Sequence, residues 1–239
     1  MRTCRSGWGM TILLTVCLLL TGCAEATDDG DVTGDGSSSP TMGQTPRLAS
    51  SLSDYIDGLI ESQPSDTPMD ESQKDMLERA KANGGEISVA DYEEAWSNFK
   101  QCMVQLGYTT PVTIPYANGL YSRPVMNIEG MTSEQADKLF EDDSTCSFTY
   151  LNAVNMVYRL QVGNPSLEQD PYNAAVECIR QGKTLPADYG ADRLREDVQR
   201  RTEGDDPELD MTDSTVVSCL VANGLINDDD HTKAWKPLG

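Results

Sequence analysis

Histidine occurs once in the 239-residue chain, at His231, and no two of the seven cysteines stand in a Cys-x-x-Cys spacing. These shortages argue against a zinc centre, which draws on several closely spaced Cys and His ligands, and no motif calls for any other cofactor. A Ser-His-Asp relay would have to recruit His231 from a polar tail, and no Gly-x-Ser-x-Gly elbow is present to expose a serine. No glycine-rich phosphate loop follows a strand. Basic residues are also scarce: 18 Lys and Arg stand against 39 Asp and Glu, for a net charge of −21. Nucleic acid is excluded as a partner on that balance, because its binders need a basic face to displace counterions from phosphates. A protein or peptide partner of positive charge remains open, beside plain solubility. Acidic runs such as Glu93 with Glu94, or residues 228–230, read as solvated surface.

Long apolar runs are missing too. The one pronounced run, residues 10–20, holds 11 residues, against the roughly 20 that a membrane-crossing helix needs. It follows Arg2 and Arg5 and ends in the small residues Thr21 and Gly22, which is the layout of a secretory signal, residues 1–22. Loss of that segment would take the remaining chain to −23. At the junction, Leu20, Thr21, Gly22 and Cys23 resemble the lipobox of bacterial lipoprotein precursors. The resemblance implies a diacylglyceryl group on the sulfur of Cys23, cleavage just before it, and a cell-membrane location on the extracytoplasmic face. Two acyl chains on one sulfur make a durable anchor where one holds only reversibly. Residues 23–47 then read as a lipidated cysteine and a flexible acidic linker, rich in Gly, Ser, Thr, Pro and Asp. About 25 such residues span roughly 25–30 Å. Within them Asp29, Asp31, Thr33, Gly34 and Asp35 imitate the start of a calcium loop, but the twelfth position, which wants a bidentate Glu, is Pro40.

Residues 48–239 form the folded part, and the pattern is mostly helical. Leu52, Tyr55, Ile56, Leu59 and Ile60 share a helical face that Pro64 ends. Thr67 as cap with Pro68 at the first position predicts a second helix, through Met76, Leu77 and Ala80 to Gly84 and Gly85. Ser88 and Asp91 predict the start of a third, with the stripe Tyr92, Ala95, Trp96, Phe99, Met103 and Leu106, closed by Gly107. Residues 112–117 and 120–122 read as a short hairpin around a two-residue Asn118, Gly119 turn, with Pro115 and Pro124 confining it to an edge or isolated ribbon. Thr132 with Gln135 restarts a helix running through Cys146, Tyr150, Ala153 and Val157 to Gly163, with a break expected near Asp142 and Asp143. Asp170 with Pro171 opens another that ends at Gly182. Residues 191–201 read as a charged surface helix, and the last helix runs from Asp213 to Gly224.

Cys4 and Cys17 leave with the signal, so the mature fold keeps Cys102, Cys146, Cys178 and Cys219. An even set in an exported domain suggests two disulfides. The stretches QCMVQLGY, ECIRQGKT and SCLVANGL each set a cysteine near a helix end, four or five residues before a glycine. This weak repeat suggests two helix-pair modules, at about residues 86–162 and 165–226, pairing Cys102 with Cys146 and Cys178 with Cys219. Four cysteines nonetheless allow three connectivities. Closing loops of 44 and 41 residues would contribute about 4 kcal/mol each in the chain-entropy description. The arrangement is similar to a loose set of small secreted lipoproteins from high-GC Gram-positive bacteria, and the similarity implies little more, since those mostly lack an assigned activity. The expected fold class is therefore a small, mostly α, disulfide-stapled domain with one short β-hairpin.

One enzyme-like motif is present. Ser97 and Lys100 match the Ser-x-x-Lys pattern of penicillin-binding proteins and β-lactamases, but the accompanying Lys-Thr-Gly strand has only Lys183, Thr184 and Leu185 to offer. The preferred reading is not an enzyme but a tethered binding or interaction module at the cell surface, of the kind that is accessory to a membrane complex such as an exporter. Its candidate partner face is the hairpin with Tyr116 and Tyr121. The alternatives are a hydrolase-type enzyme with an unrecognised site and a purely structural envelope protein.

Overall fold

Capping residues place the helices. The computed structural model describes residues 46–63, 68–227 and 234–239, all within one compact unit, 43–239. The segment expected to be a signal, Leu20, Thr21, Gly22, Cys23 and the calcium-loop imitation lie outside the described residues, as do Pro64, Thr67 and His231. Helix α1 (Leu52–Glu61) starts where Ser51 Oγ accepts from the amide of Asp54, and it buries Ile56. Helix α2 (Glu71–Ala82) is capped by Asp70, whose carboxylate accepts from the amide and hydroxyl of Ser72. The start is thus three residues beyond the expected Thr67 and Pro68, because an aspartate satisfies a free first-turn amide as well as a threonine does. Helix α3 (Val89–Gln105) has Ser88 as its cap and buries Tyr92, Ala95, Trp96, Phe99 and Met103. Leu106 falls off that stripe. It is the C-cap and is exposed, and the chain turns through Gly107 at φ +95° so that Tyr108 N–H reaches the Met103 carbonyl at 3.2 Å. That bond, with Gly107 N–H on Val104, is a glycine-dependent helix stop.

The hairpin joins β1 (Ile114–Pro115) antiparallel to β2 (Tyr121–Ser122). Its loop is longer than expected. Tyr116 N–H donates to Leu120 O and Gly119 N–H to Tyr116 O, so Ala117, Asn118 and Gly119 form a three-residue loop with Gly119 at φ +83°. A turn followed by a left-handed glycine is the common three-residue solution.

Helix α4 (Ser133–Tyr150) opens with the Thr132, Gln135 capping box. It passes straight through Asp142 and Asp143, and the break comes at Leu151 (φ −130°, ψ −46°), where α5 (Asn152–Gly163) begins. The cause is a side chain from another helix. Gln73 of α2 is fully buried, donating to the carbonyls of Phe148 (3.0 Å) and Thr149 (2.8 Å) and accepting from the amides of Ala153 (2.9 Å) and Val154 (3.3 Å). A helix end normally leaves such groups unpaired, and one amide side chain here serves both sides of the break.

Helices α6 (Pro171–Gly182), α7 (Ala191–Glu203) and α8 (Ser214–Ala222) complete the fold. Helix α7 is not purely surface: Leu194, Asp197 and Val198 are buried. Asp197 accepts from the Tyr189 hydroxyl (2.6 Å) and from the amides of Glu208 (2.7 Å) and Leu209 (3.1 Å), fastening the following loop to the helix. Apolar side chains gather in two clusters. One is centred on α1 to α5, and the other on α6, α7 and α8. Disulfide Cys102–Cys146 ties α3 to α4 (Cα–Cα 5.8 Å), and Cys178–Cys219 ties α6 to α8 (5.7 Å). Helices α5 and α8 touch at Gly163, where a Cβ would lie 2.3 Å from that of Ala222. Among the described residues no helix is long and apolar enough to cross a membrane.

The first and last described segments are also tied in. Pro46 and Leu48 pair with the 167–169 loop, and buried Trp235 pairs its backbone with Val125 and Asn127. The Trp235 indole donates to Thr109 Oγ1 at 2.8 Å.

Two stability outcomes follow. Replacing Gln73 with Leu takes the side-chain bond from the Phe148 carbonyl and from the Ala153 and Val154 amides, while the Thr149 carbonyl keeps its bond from Asp70 N–H, and should cost about 3 kcal/mol or more in chemical denaturation. Cys178→Ser and Cys219→Ser should lower the unfolding midpoint by similar amounts, and the double variant by little more than either, whereas additive losses would mean the two do not pair.

Candidate functional site

The hairpin sits on an aromatic stack. Tyr92 of α3 lies between Tyr158 of α5 (ring centroids 3.9 Å, 14° between planes) and Tyr121 of β2 (5.7 Å, 9°), and Trp96 meets Tyr121 edge-on at 6.1 Å. The Tyr92 hydroxyl donates to Asn155 Oδ1 at 3.1 Å and accepts from the Tyr121 amide at 3.0 Å. Burial raises the Tyr92 pKa above the ordinary phenol value. At the other end of the hairpin, Ala117 N–H donates to Ser218 Oγ and Asn118 Nδ2 to Ser218 O. The loop is therefore held by α8 while its strands are held by α3 and α5.

Both candidate tyrosines are half-buried and pack against the first cluster. The Tyr116 and Ser122 hydroxyls share a hydrogen bond of 3.0 Å. The Tyr121 hydroxyl donates to Glu93 Oε1 at 3.5 Å, on the exposed side of α3. Each thus contributes to the core as well as to the surface. Rigidity is what the arrangement supplies to a binding face, since little side-chain freedom is left to lose.

Ser97 and Lys100 take different surroundings. Ser97 is exposed on α3, while Lys100 Nζ reaches in the direction of the hairpin and donates to Thr113 Oγ1 at 3.2 Å, its pKa lowered by burial. Lys183, the other half of the enzyme-like pattern, is paired with Asp213 at 2.8 Å, beside the cap of α8. Among the described residues no three His, Cys, Asp or Glu side chains are grouped to hold a metal.

Two arginines that the sequence pattern did not single out are more distinctive. Arg123 follows β2 directly; its Nη1 donates to Asp143 Oδ2 (2.5 Å) and Ser147 Oγ (3.0 Å), and its guanidinium lies 5.6 Å from the Phe99 ring centre. Arg159 of α5 donates from Nε to the Ala222 carbonyl (3.1 Å) and from Nη2 to the Val221 carbonyl, at the C-terminal end of α8. Burial lowers its pKa, opposed by the Tyr92 and Tyr116 hydroxyls. Both arginines line one cleft of about 270 Å³, with Val125, Val221, Ile226 and Asn227. Arg159 also lines a neighbouring hollow of about 240 Å³ beside Tyr55 and Asn164. Local sequence gives no warning of this site, because the residues meet only when α5, α8 and the segment after β2 pack together.

No protein-family model matches the chain, and comparison with curated proteins and with solved structures finds no match.

A third polar contact joins α4 to the segment after α3. The Tyr108 hydroxyl donates to Asp142 Oδ2 at 2.7 Å, and Lys138 reaches the same oxygen at 2.5 Å. Burial and the Asp142 carboxylate push the Tyr108 pKa up to about 12. For Asp142 burial acts upward, but the bonds from Lys138 and Tyr108 outweigh it and its pKa falls below 3.8. A lowered carboxylate pKa gives stability that is present above the ordinary value and lost as pH falls through the folded one. A raised phenol pKa gives stability that is present below about pH 10 and lost as pH rises through the folded value. The difference in thermal midpoint between the native protein and Tyr108→Phe should accordingly stay level near neutral pH and shrink both as pH falls below the ordinary carboxylate range and as it rises toward about pH 12. A difference that does not change with pH would mean that Tyr108 acts through packing alone.

Proposed function

We propose that the protein is a lipid-anchored extracytoplasmic binding module, held at the membrane through Cys23 and presenting a rigid helical domain beyond the tether. The two disulfides are the observation that carries this reading: paired cysteines persist in oxidising compartments and are rare in the cytosol. The lipobox-like residues 20–23 supply the anchor. The partner face is the outer side of the hairpin with Tyr116 and Tyr121, and the net charge of −21 favours a protein or peptide of positive charge, such as a component of a membrane transport complex. Exposed Ser97, with Lys100 turned to Thr113, favours this reading over a serine hydrolase.

The test has two parts. Cys23→Ala should release the mature domain from washed membranes with its circular dichroism unchanged, and retention after a high-salt wash would refute the anchor. In affinity capture from intact membranes, replacing Tyr116 and Tyr121 together by Ser should reduce the captured partner several-fold, while Ser97→Ala should not. Partner loss with Ser97→Ala and retention with the tyrosine pair would reverse the assignment.

A further inference from the structure

We propose that the cleft between Arg123 and Arg159 binds a carboxylate carried on a small branched aliphatic group. This names a ligand for the binding module and rests on that reading of the domain. The charge arrangement is the first ground. In a chain with 39 acidic residues, two guanidiniums line one cleft. Arg123 is neutralised by Asp143. Arg159 has no carboxylate partner among the described residues: it meets only the neutral Val221 and Ala222 carbonyls, and its Nη1 meets no acceptor among them. Those carbonyls lie at a helix C-terminus, which offsets about half a charge. A positive remainder is left, and a single carboxylate would complete it by charge-assisted hydrogen bonding.

The walls supply the second ground. Val125, Val221 and Ile226 give the cleft an apolar part of its lining, and Asn227 adds a neutral amide. Its volume of about 270 Å³ lies just under the usual lower bound of roughly 300 Å³ for small-molecule sites. That suits a short branched chain and leaves little room for a nucleotide or a sugar phosphate. The third ground is rigidity. Arg159 is fixed by α8, and Arg123 by Asp143 and Ser147 on α4, which disulfide Cys102–Cys146 fastens to α3. The cleft also continues directly from β2, so a ligand there would adjoin the tyrosine face.

One carboxylate chemistry can come from a free acid or from the C-terminus of a peptide, and the probes separate these. The intact mature protein would be titrated by NMR or calorimetry with 4-methylpentanoate, with its neutral amide, and with a leucine-terminated tetrapeptide whose end is free or amidated. The free acid, the free peptide or both should bind saturably below about 10 mM, and whichever binds best identifies the source. Both amides should bind at least tenfold more weakly. Arg159→Gln should weaken the acid tenfold or more. Because Arg159 also holds α8, Val125→Trp provides a second variant that fills the cleft without removing charge, and it should abolish binding while the fold is kept. Equal binding of acid and amide, unchanged affinity in a folded Arg159→Gln, or no saturable binding by either carboxylate would each overturn the site. Binding that appears only after Asp228, Asp229 and Asp230 are all replaced by Asn would overturn it in favour of the chain's own carboxylates. Membrane release of Cys23→Ala is read separately, so the anchor can hold while the carboxylate site fails.

Discussion

Gln73 meets four backbone groups at the point where α4 stops and α5 starts. The bend it permits turns 18 residues of α4 away from the 12 of α5, so that one lies against α3 at the disulfide while the other passes under the hairpin toward α8. A straight helix in their place could not reach both. The amide also fixes α2, whose Asp70 N–H adds a bond to the same Thr149 carbonyl. Three helices are thereby set by one buried polar group. Such a group is tolerated inside an apolar cluster only because all of its hydrogen-bonding capacity is used.

The same solution recurs in the second cluster with a charge in place of the amide. Asp197 is buried on α7 and takes three donors, two of them backbone amides of the loop leading to α8. The Tyr189 hydroxyl that donates to it has its pKa raised by burial and by the carboxylate, so the phenol stays protonated and the bond persists. Between the clusters the contact is close and polar at once. Gly163 lets α5 and α8 approach, Arg159 caps the α8 carbonyls, and Asn223 Nδ2 donates to the carbonyls of Gly163 and Cys219. The hairpin loop adds its bonds to Ser218. Ligand chemistry placed at this seam would be sensed by helices of both clusters, which is the physical interest of the Arg123, Arg159 cleft.

Apart from buried Asp143 and Asp197, the charges of the described residues lie outside the core. Most acidic residues are exposed, and many of the cations serve particular carboxylates: Arg79 with Asp91, Arg123 with Asp143, Lys138 with Asp142, Lys183 with Asp213. Their cationic ends face solvent while Asp143 is buried, and fully exposed pairs would contribute less, commonly below about 1 kcal/mol each. The two disulfides and the aromatic stack are better placed to hold the domain, since the former restrict the unfolded chain and the latter buries large side chains.

Sequence by itself determined the mostly helical class, the helix starts at Ser88, Thr132, Asp170 and Asp213, and the glycine stops, because caps, periodicity and composition act over a few residues. It left three connectivities open, and the fold chose Cys102 with Cys146 and Cys178 with Cys219 by bringing α3 to α4 and α6 to α8. It placed the α4 break at Asp142 and Asp143, where two acids adjoin. The real break at Leu151 has no glycine or proline to mark it, and is made by Gln73 from 75 positions and more away. Charged α7 read as surface because the partners of Asp197 lie outside the helix. Trp235 is docked by Val125, Asn127 and Thr109, all more than 100 residues before it, so no local pattern marks it. The Arg123, Arg159 cleft was invisible for the same reason as the break: its groups are 36 residues apart and meet only through tertiary packing, which no local pattern encodes.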